Sequence, residues 1–204
     1  MFVKICGITR PADSIAASDA GADAIGLNFV PESRRRIDAA TARAIVDATP
    51  TGVMCVGVFR NHSTAEVLSV VDALALDGVQ LHGHHPPETT TVVAAEARLL
   101  ILAMTVEELS VRSLDAHPAC VVMLDGPESG SGDTFDWSAV GDLTARHRIL
   151  LAGGLTPGNV ADAVRQVGPW GVDVATGVET APGHKDRDAM IRFIARARAA
   201  ATAT

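Results

Sequence analysis

Eight short apolar runs, each followed by a segment of helical character, constrain this chain more than any other feature. They are Val3–Ile8, Ala24–Phe29, Cys55–Phe59, Gly78–His82, Leu99–Met104, Cys120–Asp125, Arg148–Ala152 and Gly171–Thr176. Most are hydrophobic without alternation. That is the pattern of parallel strands covered on both faces, since a strand with one wet face would alternate polar with apolar residues. The intervening segments are Ala-rich, with apolar residues at helical spacing: Pro11–Ala20, Ala39–Ala48, Thr64–Ala75, Pro87–Ala97, Val106–Leu114, Asp136–Arg146, Pro157–Val167 and Asp186–Ala200. Pro11 and Pro157 suit a first helical turn, where the missing N–H costs nothing, and Ser63 suits an N-cap.

Strand–helix alternation repeated in this way gives either a closed barrel or an open doubly wound sheet. The count of eight favours the barrel. So does the lack of a GxGxxG turn after the first run, which an open dinucleotide-binding sheet would use. The expected fold is therefore α/β, a single (β/α)8 TIM barrel over residues 1–204, because no Pro/Gly/Ser-rich linker interrupts the alternation. At 204 residues the chain is short for such a barrel, for which about 250 is typical, so its loops must be short. Ala199–Thr204 reads as a frayed end.

A net charge of −7 argues against nucleic acid as the main partner, which would need a basic face. Arg34-Arg35-Arg36 is too short a run for a polybasic membrane or nucleic-acid patch. Cys6, Cys55 and Cys120 are an odd number without a CxxC pair, so a disulfide framework is not expected and a reducing cytoplasm fits. Met1-Phe2-Val3-Lys4-Ile5 turns polar too soon for a secretory leader, and no apolar stretch reaches spanning length. A cytoplasmic monomer acting on a small molecule, without nucleic acid or membrane, is the expectation.

In a barrel of this kind chemistry gathers where strands end and the following loops begin. Polar or glycine residues occupy those places repeatedly: Lys4 through Thr9, Asn28 with the Arg run, Gln80-Leu81-His82-Gly83, Leu124-Asp125-Gly126, Ala152-Gly153-Gly154 and Asp173 through Gly177. Gly153-Gly154 and Thr176-Gly177 let backbone N–H groups approach an anion closely, at the loops where such barrels hold phosphate. Two tight turns that need glycine would look the same. Cys6 and Asp125 stand across the mouth from each other, as a base and an acid would in a proton-shuttling isomerase. A free thiol is a poor base at neutral pH, so Cys6 needs a nearby cation, and Lys4 points to the same face two residues earlier. Inert packing of Cys6 and turn-capping by Asp125 are the plain alternatives. His82, His84 and His85 have spacings poorly suited to three ligands on one ion; a polar loop with His82 facing the mouth is the reading, and no metal is expected.

These residues also spell a family. Lys4-Ile5-Cys6-Gly7-Ile8-Thr9 resembles the opening signature of the phosphoribosylanthranilate isomerases. The likeness continues in order through Gly26-Leu27-Asn28-Phe29, Ser33-Arg34-Arg35, Val56-Gly57-Val58-Phe59, Val79-Gln80-Leu81-His82-Gly83 and Leu124-Asp125. Gly130 through Trp137, Leu151 through Val160, and Gly177-Val178-Glu179 with Pro182-Gly183-His184-Lys185-Asp186 complete the set. The resemblance implies a cofactor-free Amadori rearrangement in tryptophan biosynthesis, from N-(5-phosphoribosyl)anthranilate to 1-(2-carboxyphenylamino)-1-deoxyribulose 5-phosphate. By that likeness Asp125 is the general acid at the ring oxygen and Cys6 the general base at the sugar C2. Arg35 pairs with the anthranilate carboxylate, phosphate rests around Gly153, Gly154, Thr176 and Gly177, and His82 and Asp173 line the substrate site.

Three positions depart from the usual family pattern. Ala175-Thr176 replaces a common Ser-Ser, which keeps one hydroxyl and removes another, and His84 stands where an acid is frequent. The nearest rival is the related histidine-pathway isomerase or a dual-substrate form, but that enzyme ends its first strand in Asp, and here the residue is Cys6. A non-catalytic sensor on a decayed barrel should have lost acid, base or clamp, and all three are present.

Overall fold

The eight apolar runs form eight strands, and the last pairs with the first. In the computed structural model, which describes residues 1–111, 113–118, 120–126, 136–140 and 143–202, the strands are β1 (Phe2–Cys6), β2 (Ala24–Asn28), β3 (Met54–Arg60), β4 (Gly78–His82), β5 (Leu99–Met104), β6 (Val121–Leu124), β7 (Arg148–Leu151) and β8 (Gly171–Val174). All neighbours are parallel and the sheet is a closed barrel. Closure sets Lys4 opposite Asp173 in the β1–β8 register. The helices are α1 (Pro11–Ala20), α2 (Ala39–Ala48), α3 (Thr64–Leu74), α4 (Pro87–Glu96), α5 (Val106–Val111), α6 (Leu143–Arg146), α7 (Val160–Val167) and α8 (Arg187–Thr202). A short antiparallel hairpin, β9 (Glu179–Ala181) with β10 (His184–Lys185), follows β8.

The unbroken hydrophobicity of the strands has the expected cause. One set of side chains, including Val3, Ile25, Phe59 and Leu81, packs outward under the helices. The alternate set, Ala24, Val56, Ile101, Val121, Met123 and Leu150 among them, fills the barrel interior. At the end where the strands begin, Phe2 stacks on Trp170 with ring centroids 4.5 Å apart, and Arg148 lies 4.3 Å over the Trp170 ring. The barrel is thus filled from below, and only its upper end remains for polar groups.

Helix starts follow the local rules in part. Ser63 caps α3 by accepting from the Glu66 N–H, while the Glu66 side chain returns to the Ser63 N–H. Pro11 opens α1. Pro157 does not open α7; it lies in a turn, and the helix starts at Val160. Asn159 is the reason, since its side chain donates to the Gly154 carbonyl at 2.9 Å and accepts from the Thr156 N–H at 2.8 Å, which ties that stretch to the preceding loop. The segment expected as a helix over Asp136–Arg146 contains a 3-10 turn, Trp137–Val140, and the single turn α6. The chain end is less frayed than expected: α8 runs through Thr202, with Ala197 and Ala200 buried against the barrel.

Phe193 on α8 is fully buried in the outer core. Truncation to Ala removes a ring and leaves a cavity between helix and sheet, so Phe193→Ala is expected to lower unfolding free energy by about 3–5 kcal/mol, measured by urea titration.

Candidate active site

The sequence-predicted residues converge. Cys6, Arg35, His82, Asp125, Gly153, Gly154, Asp173, Thr176 and Gly177 all line one cavity at the carboxyl ends of the strands, open to solvent at the mouth.

Cys6 ends β1 and is 8% exposed. Its β2 partner is Gly26, and a Cβ there would come within 2.7 Å of the Cys6 sulfur and 3.2 Å of the Lys4 Nζ. The missing side chain is what lets thiol and ammonium share one spot. Lys4 is fully buried and pairs with Asp173 at 2.7 Å. Burial works against the Lys4 charge, but Asp173 and Cys6 outweigh it, and its pKa lies above the ordinary lysine value. Burial likewise dominates at Cys6 and pushes the thiol above its ordinary value, although Lys4 and Lys185 pull it down.

Asp125 follows β6 directly, held by its own N–H on the Met104 carbonyl at 3.1 Å. One carboxylate oxygen accepts from the Gly126 N–H at 2.9 Å. Gly153, with φ +76°, passes so close that a Cβ would lie 2.6 Å from the Gly126 nitrogen. Gly154 continues in the left-handed region with φ +62°, which glycine enters without the steric cost a Cβ would bring. Gly177, in the 3-10 turn Thr176–Val178, has no room for a side chain either, because a Cβ would run into the Leu155 carbonyl. The loops after β7 and β8 are pressed together, and glycine is what allows it.

Arg35 is pinned. Its Nε and Nη2 donate to the two oxygens of Glu179, each at 2.8 Å, and Nη2 also donates to the Thr176 hydroxyl at 2.9 Å. Glu179 in turn accepts from Lys185 Nζ at 2.7 Å and from the Gly183 N–H at 3.2 Å. Burial opposes ionisation of Glu179, but Arg35 and Lys185 win and hold its carboxyl below the usual range. Among the described residues this sets Lys4 against Asp173 and both Arg35 and Lys185 against Glu179, so that two cations share one carboxylate beside the cavity. Glu179 and Lys185 entered the sequence reading only as letters of a closing motif. The Pro182-Gly183 turn of their hairpin was the available signal.

Asp173, read as a substrate-lining residue, is also the counter-ion of Lys4. The Thr176 hydroxyl, read as a phosphate contact, accepts from Arg35 and keeps its own hydrogen to donate. His82 lies 2.6 Å from the Gln80 side-chain nitrogen. Burial first, then Arg60, Lys4 and His85, lowers its pKa to about 3, so it is neutral. His85 bonds to the His82 carbonyl at 3.1 Å.

The model of the family N-(5'-phosphoribosyl)anthranilate (PRA) isomerase matches residues 3–196. The chain belongs to that family. It is 42% identical over 203 residues to N-(5'-phosphoribosyl)anthranilate isomerase of Myxococcus xanthus, covering 96% of this chain and 95% of the relative. The crystal structure of phosphoribosyl anthranilate isomerase from Thermotoga maritima superposes with a TM-score of 0.89 at 40% identity, covering 98% of this chain and 99% of that one. Another isomerase structure, in complex with reduced 1-(o-carboxyphenylamino)-1-deoxyribulose 5-phosphate, superposes at 0.86 and 39% identity, covering 98% and 99%. Of the stretches that resemble the PRA isomerases, residues 130–135 lie outside the described residues.

The Glu179 anchor carries an expected result. Glu179→Gln keeps the shape but loses the charge that fixes both Arg35 and Lys185, so the guanidinium is free to swing. Steady-state kinetics should show KM for phosphoribosylanthranilate raised about tenfold with a smaller loss in kcat; an unchanged KM would show that Arg35 needs no anchor.

Proposed function

We propose that this chain, as a PRA isomerase of tryptophan biosynthesis, carries out its Amadori rearrangement through Asp125 and Cys6. The reading rests above all on one observation: residues from β1, β6 and the loops after β2, β7 and β8 meet around a single cavity. Asp125 protonates the ribose ring oxygen, the C1–O bond breaks, and the anthranilate nitrogen supplies the electron pair that makes a cationic imine. That cation acidifies the C2–H bond. Cys6, as thiolate, takes the C2 proton, and the electron pair forms the C1–C2 double bond of an enaminol. Loss of the C2 hydroxyl proton and protonation at C1 then give the ketone.

Arg35 is the carboxylate clamp, its fork matched to a planar anion. The N–H groups around Gly153, Gly154 and Gly177, with the Thr176 hydroxyl, receive phosphate. Asp173 keeps Lys4 charged beside the thiol, and neutral His82 walls the far side. A cytoplasmic monomer is part of the proposal: none of the described helices is long and apolar enough to cross a membrane. Ile15, Val92 and Ile191, the exposed large apolar side chains among the described residues, stand on three separate helices, α1, α4 and α8.

The test is fluorescence-detected consumption of freshly generated phosphoribosylanthranilate, run beside the histidine-pathway aminoaldose substrate. Fast turnover of the first alone supports the reading. Turnover of the second alone would replace it, and activity on both would make the chain a dual-substrate isomerase. Light scattering checks the monomer.

A further inference from the structure

Gln80 sits on β4 inside the barrel and is 1% exposed. Its register partners are Val58 on β3 and Ile101 on β5, both apolar and buried, so neither neighbouring side chain can satisfy its amide. The Nε2 end is used: it donates to Nε2 of His82 at 2.6 Å, which neutral His82 can accept. The other end is not. Oε1 is buried and has no hydrogen-bond partner among the described residues, and Gln80 lines the cavity that holds Cys6 and Asp125. A buried acceptor left unmet costs free energy that an apolar residue of the same size would not, so its retention in a ligand cavity points to a partner that arrives with the ligand.

We infer that Gln80 is a substrate-binding residue, and that its Oε1 accepts a hydrogen bond from the C3 hydroxyl of the sugar chain. The inference rests on the substrate proposed above. An amide carbonyl accepts a hydrogen bond but does not take the proton, so it suits a hydroxyl that keeps its hydrogen from start to finish. The C2 hydroxyl becomes a ketone and the ring oxygen is protonated, whereas C3, between the carbon served by Cys6 and the one whose oxygen Asp125 serves, keeps its hydroxyl throughout. The His82 contact fixes the Nε2 end of the amide and leaves Oε1 as its open acceptor.

The test is a double cycle. Wild type and Gln80→Leu are titrated calorimetrically with reduced 1-(2-carboxyphenylamino)-1-deoxyribulose 5-phosphate and with its 3-deoxy counterpart. Circular dichroism checks the fold, and Gln80→Met takes the place of Gln80→Leu if the latter does not fold. Wild type should prefer the full compound by about tenfold, the worth of one buried hydrogen bond, and the variant should bind both alike. The variant's kcat/KM should fall roughly 10–100-fold. Equal discrimination by wild type and variant, or an unchanged kcat/KM, overturns the inference. Failure of wild type to bind either compound overturns the substrate reading instead, an outcome distinct from lost discrimination.

Discussion

Asp125→Asn is expected to lower kcat by roughly 10²–10⁴-fold, the range of a lost general acid, with KM within a few-fold of wild type. The substitution is nearly isosteric, and its side-chain oxygen can still accept from the Gly126 N–H, so the loop after β6 keeps its shape. What the amide cannot do is give a proton to the ring oxygen. Ring opening is then left to solvent. Single-turnover fluorescence separates the step from product release. A variant that opened the ring at the wild-type rate would mean the proton comes from another group, and the role of acid would have to move.

The second large effect belongs to Cys6. Cys6→Ser replaces a thiol by a hydroxyl that ionises far less readily, and kcat should fall roughly 10²–10⁴-fold. The wild-type pH profile makes the stronger test, because burial sets its sign. Burial pushes the Cys6 thiol above its ordinary value of 9.0 against the pull of Lys4 and Lys185, so at neutral pH the free enzyme holds mostly the protonated, inactive form. Raising the pH increases the thiolate, and kcat/KM should climb by up to about tenfold per unit between about pH 7 and 9. His82, at about 3, does not titrate there. Alkylation of Cys6 by iodoacetamide, followed on its own peptide by mass spectrometry, should rise in parallel. A profile already flat at pH 7 would mean that the two lysines outweigh burial and that the resting group is a thiolate.

The sequence announces the barrel because burial on both faces leaves a local record. Runs such as Leu99–Met104 carry no polar residue, and a parallel strand between helices and an interior core requires none. The same logic exposes the site. The run ahead of Asp125 is apolar throughout, whereas the one that ends in Cys6 carries Lys4, and the order of these polar residues along the chain is readable without coordinates. Boundaries were less legible. Pro157 fits a first turn by its own chemistry, yet Asn159 draws that stretch back onto Gly154, and a contact across a loop leaves no periodicity to read.

What the sequence by itself determined is therefore the eightfold alternation and the polar residues at the ends of the strands, among them Cys6, Asp125 and Arg35, the base, acid and carboxylate clamp of the proposal. Each is a property of one short segment, recorded in its own hydrophobic pattern or motif. Only the tertiary structure decided the pairings. Lys4 meets Asp173 because closure places β8 beside β1, and Arg35 meets Glu179 and, through it, Lys185 because a hairpin after β8 folds back over the loop after β2. Partners separated by 169 and 144 residues are set by register and closure, which no local pattern encodes. The unmet Gln80 carbonyl belongs to the same class, since only the packed barrel shows that both of its neighbours across the sheet are apolar.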